Sequence, residues 1–261
     1  MASRDSIANT LRVSFMVCLV CAIVVSTAAV SLREAQQQNR LQFRQTNILQ
    51  VAGIYEPGMD LSAAFERVER RFVEFESGSY VDMPDDYDPV RAARDPEMGR
   101  TLERDPAGIR RQPKVGEVFL VRDEADEVSR IILPVHGYGL WSTMYGFLAL
   151  EPDANTVAGI SFYEHGETPG LGGDIEKPRW QRLWEGKRLY DEDGEVAIRV
   201  VKGAVPEDAP NREHRVDGLT GATITSEGVS QLVRFWVGER AFGPYLDRVR
   251  GEYQRNGNTG G

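Results

Sequence analysis

Apolar and polar positions divide the chain into regions of different character. From Val13 to Leu32 no residue is charged, and Arg12 and Arg33 bracket the run. At about 1.5 Å per residue, a helix of this length spans roughly 30 Å, the thickness of a bilayer core. The pattern predicts one transmembrane helix over 13–32, behind a short tail at 1–12. A cleaved signal peptide is the competing reading, since Ala28-Ala29 offers small residues for cleavage. Such signals carry a shorter apolar core of about 7–15 residues. Glu34 to Val51 is Gln-rich and reads as a juxtamembrane helix. Leu61, Phe65, Val68, Phe72 and Phe75 then recur at spacings of four and three, which predicts an amphipathic helix capped by Asp60. Asp82 to Pro113 shows no period and is punctuated by Pro84, Pro89, Pro96 and Pro106. It reads as a polar surface excursion that closes a region at 33–113.

Beyond Lys114 the pattern changes to strands. Val115–Val121 and Val128–Val135 are separated by an Asp123-Glu124-Ala125-Asp126 turn, and Phe147–Leu150, Thr156–Tyr163 and Val196–Lys202 follow. Asp174–Trp184 reads as helical. Val229, Leu232, Val233 and Trp236 form a helix stripe, and Phe242–Val249 a last short helix. The expected fold class is therefore α+β, with a mixed helix and antiparallel-sheet domain at 114–250 and a disordered tail at 251–261.

A net charge of −9 argues against nucleic acid as a partner. Both cysteines, Cys18 and Cys21, lie in the apolar run, so the remainder has neither a disulfide nor a thiolate metal site. His136, His165 and His214 are far apart and show no metal-ligand spacing. No metal site is expected.

Three stretches carry candidate chemistry. Asp217-Gly218-Leu219-Thr220-Gly221-Ala222-Thr223-Ile224-Thr225 puts three hydroxyls and a carboxylate before a helix. Such a place can hold a phosphate, because helix N-termini present free N–H groups and favour negative charge. The plainer reading is a glycine turn followed by a Thr/Ser cap. Gly137 to Gly146 holds Trp141 between tyrosines, suited either to stacking on a flat ligand or to filling a core corner. His165 to Asp174 is rich in glycine, which allows close backbone approach to a ligand.

Taken together, these stretches resemble the covalent-FMN domain family. Asp217 to Thr225 matches its flavinylation pattern of Asp, two residues, Thr/Ser, Gly, Ala, Thr/Ser, any residue, Thr. His165-Gly166-Glu167-Thr168-Pro169-Gly170-Leu171-Gly172 is similar to the loop these domains set against the flavin ring. Gly137-Tyr138-Gly139-Leu140-Trp141-Ser142 looks like the version in the C subunit of sodium-translocating NADH:quinone reductases. Asp174 stands where the family pattern has Glu.

The resemblance implies FMN joined through its phosphate to Thr225 by a separate flavin transferase that uses FAD. It implies phosphate contacts from Thr220 and Thr223, and a slim loop at Gly221 and Ala222. Asp217 would serve the modifying enzyme or brace the turn. Leu140, Trp141 and Leu171 would make apolar ring contacts, and Glu167 and Thr168 would bond its polar edge. Lys202 would place a cation near the ring or phosphate, though an exposed strand-end lysine fits equally. The chain would be an electron-transfer subunit of a membrane NADH:quinone oxidoreductase coupled to sodium export, with other subunits as partners and no complete catalytic site of its own. Its flavin domain would face the periplasm from a bacterial inner membrane. The alternatives are the G subunit of an Rnf-type complex and, in another class, an anchored envelope binding or scaffold protein without cofactor.

Overall fold

The computed structural model describes residues 7–257, apart from the side chains of Glu34, Gln37, Arg40, Asn256 and Gly257. Residues 1–6 and 258–261, parts of the two expected tails, lie outside the described residues. The chain divides into two compact units, Met1–Gln45 and Thr46–Gly261. In the first, helix α1 (Ile7–Ser31) contains an 18-residue stretch of mean hydropathy 2.6 and is long and apolar enough to cross a membrane. Helix α2 (Arg33–Val51) forms where a helix was expected, and its residues from Thr46 onward belong to the second unit.

The second unit continues with α3 (Leu61–Phe65), β1 (Val68–Glu74), β2 (Tyr80–Val81), α4 (Pro89–Ala92), β3 (Gly99–Thr101) and β4 (Arg111–Pro113). It goes on through β5 (Val115–Arg122), β6 (Val128–Tyr138), β7 (Thr143–Leu150) and β8 (Val157–Glu164). The last elements are α5 (Pro178–Gln181), β9 (Arg199–Val200), β10 (Arg215–Val216), α6 (Thr223–Trp236) and α7 (Gly243–Gly257). Six strands form one sheet in the order β2-β1-β5-β6-β7-β8, with every pairing antiparallel.

Both faces of this sheet are covered, which explains why its strands read as nearly continuous apolar runs. Val118, Leu120, Ile131, Leu133, Val135 and Leu148 point into one cluster with Val229, Leu232 and Val233 of α6 and Leu246 of α7. The alternate residues Phe119, Val121, Ile132, Phe147 and Ala149 pack against Ile48, Leu49, Val51 and Ala52 at the end of α2.

Several expectations need correction. Asp60 does cap a helix, its Oδ1 accepting from Ser62 N at 2.9 Å, but that helix stops at Phe65. Val68 to Glu74 is a strand, paired with β5 from Val68↔Val121 to Glu74↔Val115. The four-residue spacing of Val68 and Phe72 fits a strand face as well as a helix, and pairing with β5 decides between them. The domain boundary expected at 114 therefore cuts through the sheet, and the compact unit starts at Thr46. The polar excursion contains the β3–β4 hairpin. The strand expected over Val196–Lys202 shrinks to Arg199–Val200, paired in parallel with β10. Helix α7 extends to Gly257, so residues 251–257 are not a disordered tail.

Candidate functional site

Helix α6 approaches the end of β6 closely because glycines meet there. A Cβ on Gly228 would lie 2.8 Å from the Tyr138 carbonyl oxygen, and one on Gly137 would lie 2.5 Å from Leu232 Cβ. Trp236, at the far end of the helix, donates from Nε1 to the His136 carbonyl at 2.6 Å. The helix is thus held along β6, and its first turn lies beside the tight turn that joins β6 to β7.

That first turn starts at Thr223, inside the hydroxyl-rich stretch rather than after it. The Thr/Ser-cap reading fails here. The N-cap position is Ala222, and no side chain caps the helix. Ser226 Oγ instead accepts from the Leu219 N–H at 2.9 Å and pins the preceding turn. Gly221 takes φ +76° in that turn, a conformation that suits glycine. An uncapped helix start presents N–H groups to an incoming anion.

Thr225 is the buried member of the stretch, 1% exposed, whereas Thr220 and Thr223 are exposed. Its Oγ1 donates to Glu167 Oε2 at 2.5 Å. The other oxygen of Glu167 accepts from the backbone N–H groups of Leu140 and Trp141, each at 3.0 Å. One buried carboxylate therefore ties together all three candidate stretches. Glycines make room for it. A Cβ on Gly139 would sit 2.5 Å from Glu167 Oε1, and one on Gly172 would sit 2.5 Å from Thr225 Oγ1. His165 Nδ1 accepts from the Glu167 N–H at 3.1 Å and sets the start of this segment.

Around this buried bond lies an exposed apolar rim. Trp141 is 63% exposed and Ile224 57%, and Tyr138, Leu140 and Leu171 are exposed beside them. Leu171 closes over the turn, since a Cβ on Gly221 would reach its Cδ2 at 3.0 Å. Tyr138 Oη donates to the Trp141 carbonyl at 3.2 Å. Tyr138 belongs to the aromatic stretch already singled out, whereas Ile224 was not expected at the site. The signal for Ile224 was present: it is apolar, yet it falls off the Val229–Leu232–Val233–Trp236 stripe.

The remaining candidates separate. Glu167 is engaged by protein donors, and Thr168 contributes its carbonyl, which accepts from Leu171 N at 3.1 Å and Gly173 N at 2.9 Å. Asp217 braces its turn, Oδ1 accepting from Val205 N at 2.9 Å while its carbonyl accepts from Trp180 Nε1 at 2.9 Å. Lys202 lines a cleft of about 480 Å³ with Arg199, Arg234, Thr223 and Ser226. Thr225 is not part of that cleft. Two residues along a helix turn about 200°, so Thr223 and Thr225 face apart. Among the described residues no cluster of His, Cys, Asp and Glu is placed to hold a metal ion.

The FMN-binding domain family matches residues 139–238, a span that contains all of the site's three stretches except Gly137 and Tyr138. The C subunit of the Na(+)-translocating NADH-quinone reductase of Yersinia pestis is 47% identical over 98% of this chain and 97% of its own length. Its counterpart in Vibrio vulnificus is 49% identical over 96% of this chain and 98% of its own length. The chain belongs to the C-subunit family of Na(+)-translocating NADH-quinone reductases. A crystal structure of NqrC from Shewanella oneidensis shares the fold, with a TM-score of 0.75 and 35% identity over 83% of this chain and 99% of that one. A second, from Parabacteroides distasonis, gives a TM-score of 0.65 at 27% identity over 82% of this chain and 96% of that one.

The residues present fit an FMN. Exposed apolar side chains suit a flat ring, and the uncapped first turn of α6 suits a phosphate.

Proposed function

We propose that the chain carries FMN as a phosphoester on Thr225 and relays electrons within a sodium-exporting NADH:quinone reductase. The observation that carries this reading is Thr225 itself. It stands in the uncapped first turn of α6, within the FMN-binding match, and is bonded to the carboxylate that also sets the Leu140–Trp141 turn. FMN supplies reversible redox chemistry in one- and two-electron steps.

The chain's own residues hold and shield it. The N–H groups of Thr223 to Thr225 receive the phosphate, with the hydroxyl of Thr220 alongside. Leu140, Trp141, Leu171 and Ile224 cover the ring and exclude water from it. Glu167 positions the Leu140–Trp141 turn rather than bonding the ring's edge. Lys202 acts through its cleft, where its charge favours anions near the helix start. A covalent link keeps the cofactor in place while part of the ring stays open to neighbouring subunits.

A flavin transferase drawing on FAD installs the group. Helix α1 anchors the chain in the bacterial inner membrane, with the flavin domain on the periplasmic side. The relatives named above are all C subunits, which supports this role over the G subunit of an Rnf complex. The FMN-binding match weighs against a scaffold without cofactor.

The test is in-gel fluorescence. Co-expressed with its transferase and denatured, the wild-type chain gives a fluorescent band and Thr225→Val a dark one. A dark wild-type band, or equal bands from both, overturns the proposal.

A further inference from the structure

The attachment hydroxyl is closed off in the folded, unmodified chain. Thr225 is 1% exposed, and its only proton is donated to Glu167. Gly172 presses on the same oxygen so closely that even a methyl group there would meet it at 2.5 Å. A phosphoryl group is far larger than a methyl group. Reacting atoms must come within about 3–3.5 Å of each other, in line. No phosphate reaches Thr225 Oγ1 while Glu167 and Gly172 stay where they are.

The cover is a glycine-rich segment. It contains Gly166, Pro169, Gly170 at φ +78°, Gly172 and Gly173. Its tip is held to itself through the Thr168 carbonyl. The Glu167 carboxylate is the side chain that fastens it, to α6 on one side and to the Leu140–Trp141 turn on the other.

We propose that Glu167 and Gly172 form a latch over Thr225, and that opening of the 165–173 segment limits the rate of flavin attachment. This rests on the reading of Thr225 as the attachment residue. In the attachment step, Thr225 Oγ loses its proton to solvent and forms a bond to the flavin-side phosphorus of a flavin dinucleotide. The bond from that phosphorus to the bridging oxygen breaks, and a nucleoside monophosphate leaves with the bridging oxygen. The product ester oxygen has no proton to donate, so the bond to Glu167 cannot re-form. The latch therefore works once, and it distinguishes unmodified from modified chains.

The test follows flavin loading of the purified full-length chain by in-gel fluorescence, with FAD and increasing amounts of transferase. The wild-type rate should level off at the rate of opening. Glu167→Ala should raise that ceiling several-fold, and Glu167→Gln, which keeps an acceptor for Leu140 and Trp141, should bring it back toward wild type. Gly172→Ala wedges the segment from the other side and should also raise the ceiling. In wild type, hydrogen exchange at the Leu140 and Trp141 amides should match the plateau rate. An unchanged ceiling in a folded Glu167→Ala or Gly172→Ala chain overturns the latch while the attachment reading stands. Slower loading in Glu167→Ala overturns it too, by making Glu167 an aid to the reaction. A wild-type chain that takes no flavin removes the attachment reading and the latch together.

Discussion

Thr225 Oγ1 and Glu167 Oε2 meet at 2.5 Å although 58 residues of chain separate them. The same carboxylate holds the backbone of Leu140 and Trp141. The exposed indole of Trp141 is therefore positioned by its main chain, while its ring is free to cover a ligand.

Trp141→Ala should change thermal stability by no more than about 0.5 kcal/mol, because an exposed side chain carries little packing. In the flavin-loaded chain it should raise flavin emission several-fold, since an electron-rich indole against the ring quenches it. Melting curves and emission yields of the two loaded proteins check both halves.

Asp217 offers a choice between two roles. It braces the turn by accepting the Val205 N–H. Asp217→Asn keeps an acceptor and should load flavin at the wild-type rate. Asp217→Ala loses it and should cost about 1 kcal/mol of stability. Slow loading of a stable Asn variant, timed by flavin fluorescence, would instead give the carboxylate charge a role with the modifying enzyme.

His136 lies between Tyr145 and Trp236, with ring centroids 5.4 and 4.8 Å away. Burial disfavours its charged form and lowers its pKa from 6.5 to about 4, with Asp105 opposing the shift. The unfolded chain thus binds the proton first as pH falls. Stability contributed by the neutral imidazole is fully present above pH 6.5 and is lost as pH falls toward about 4. The loss is on the order of 2 kcal/mol once the ring's partial exposure is allowed for. Urea unfolding across this range should show a flatter stability–pH slope for His136→Phe than for wild type.

Tyr190 donates its hydroxyl to the Val237 carbonyl at 2.6 Å, just past the end of α6, and burial pushes its pKa up to about 12. Tyr190→Phe leaves that carbonyl unpaired and should cost about 1–2 kcal/mol. Calorimetry should show a lower Tm, with flavin loading unchanged.

Local pattern made most of the central sheet legible. β5 to β8 announced themselves because each is a dense apolar run bounded by turn residues. β1 did not, because Val68 and Phe72 suit two periods and only the pairing with β5 separates them. The three stretches of the site were visible as motifs, and the structure brings them to one carboxylate. What the pattern hid was direction. Nothing in the order Thr220, Thr223, Thr225 says which hydroxyl turns inward, since that depends on where α6 begins. The role of Glu167 was hidden for the same reason: its partners lie 26, 27 and 58 residues away.

The central claim is that Thr225, and neither Thr220 nor Thr223, bears the flavin. Peptide mass spectrometry of the chain matured with its transferase tests this most directly. The account predicts that the peptide spanning Asp217 to Arg234 gains the mass of FMN less one water, with fragment ions placing it on Thr225, and that Thr225→Val carries none. The added mass on Thr220, Thr223 or Ser226, or its persistence in Thr225→Val, would contradict the account.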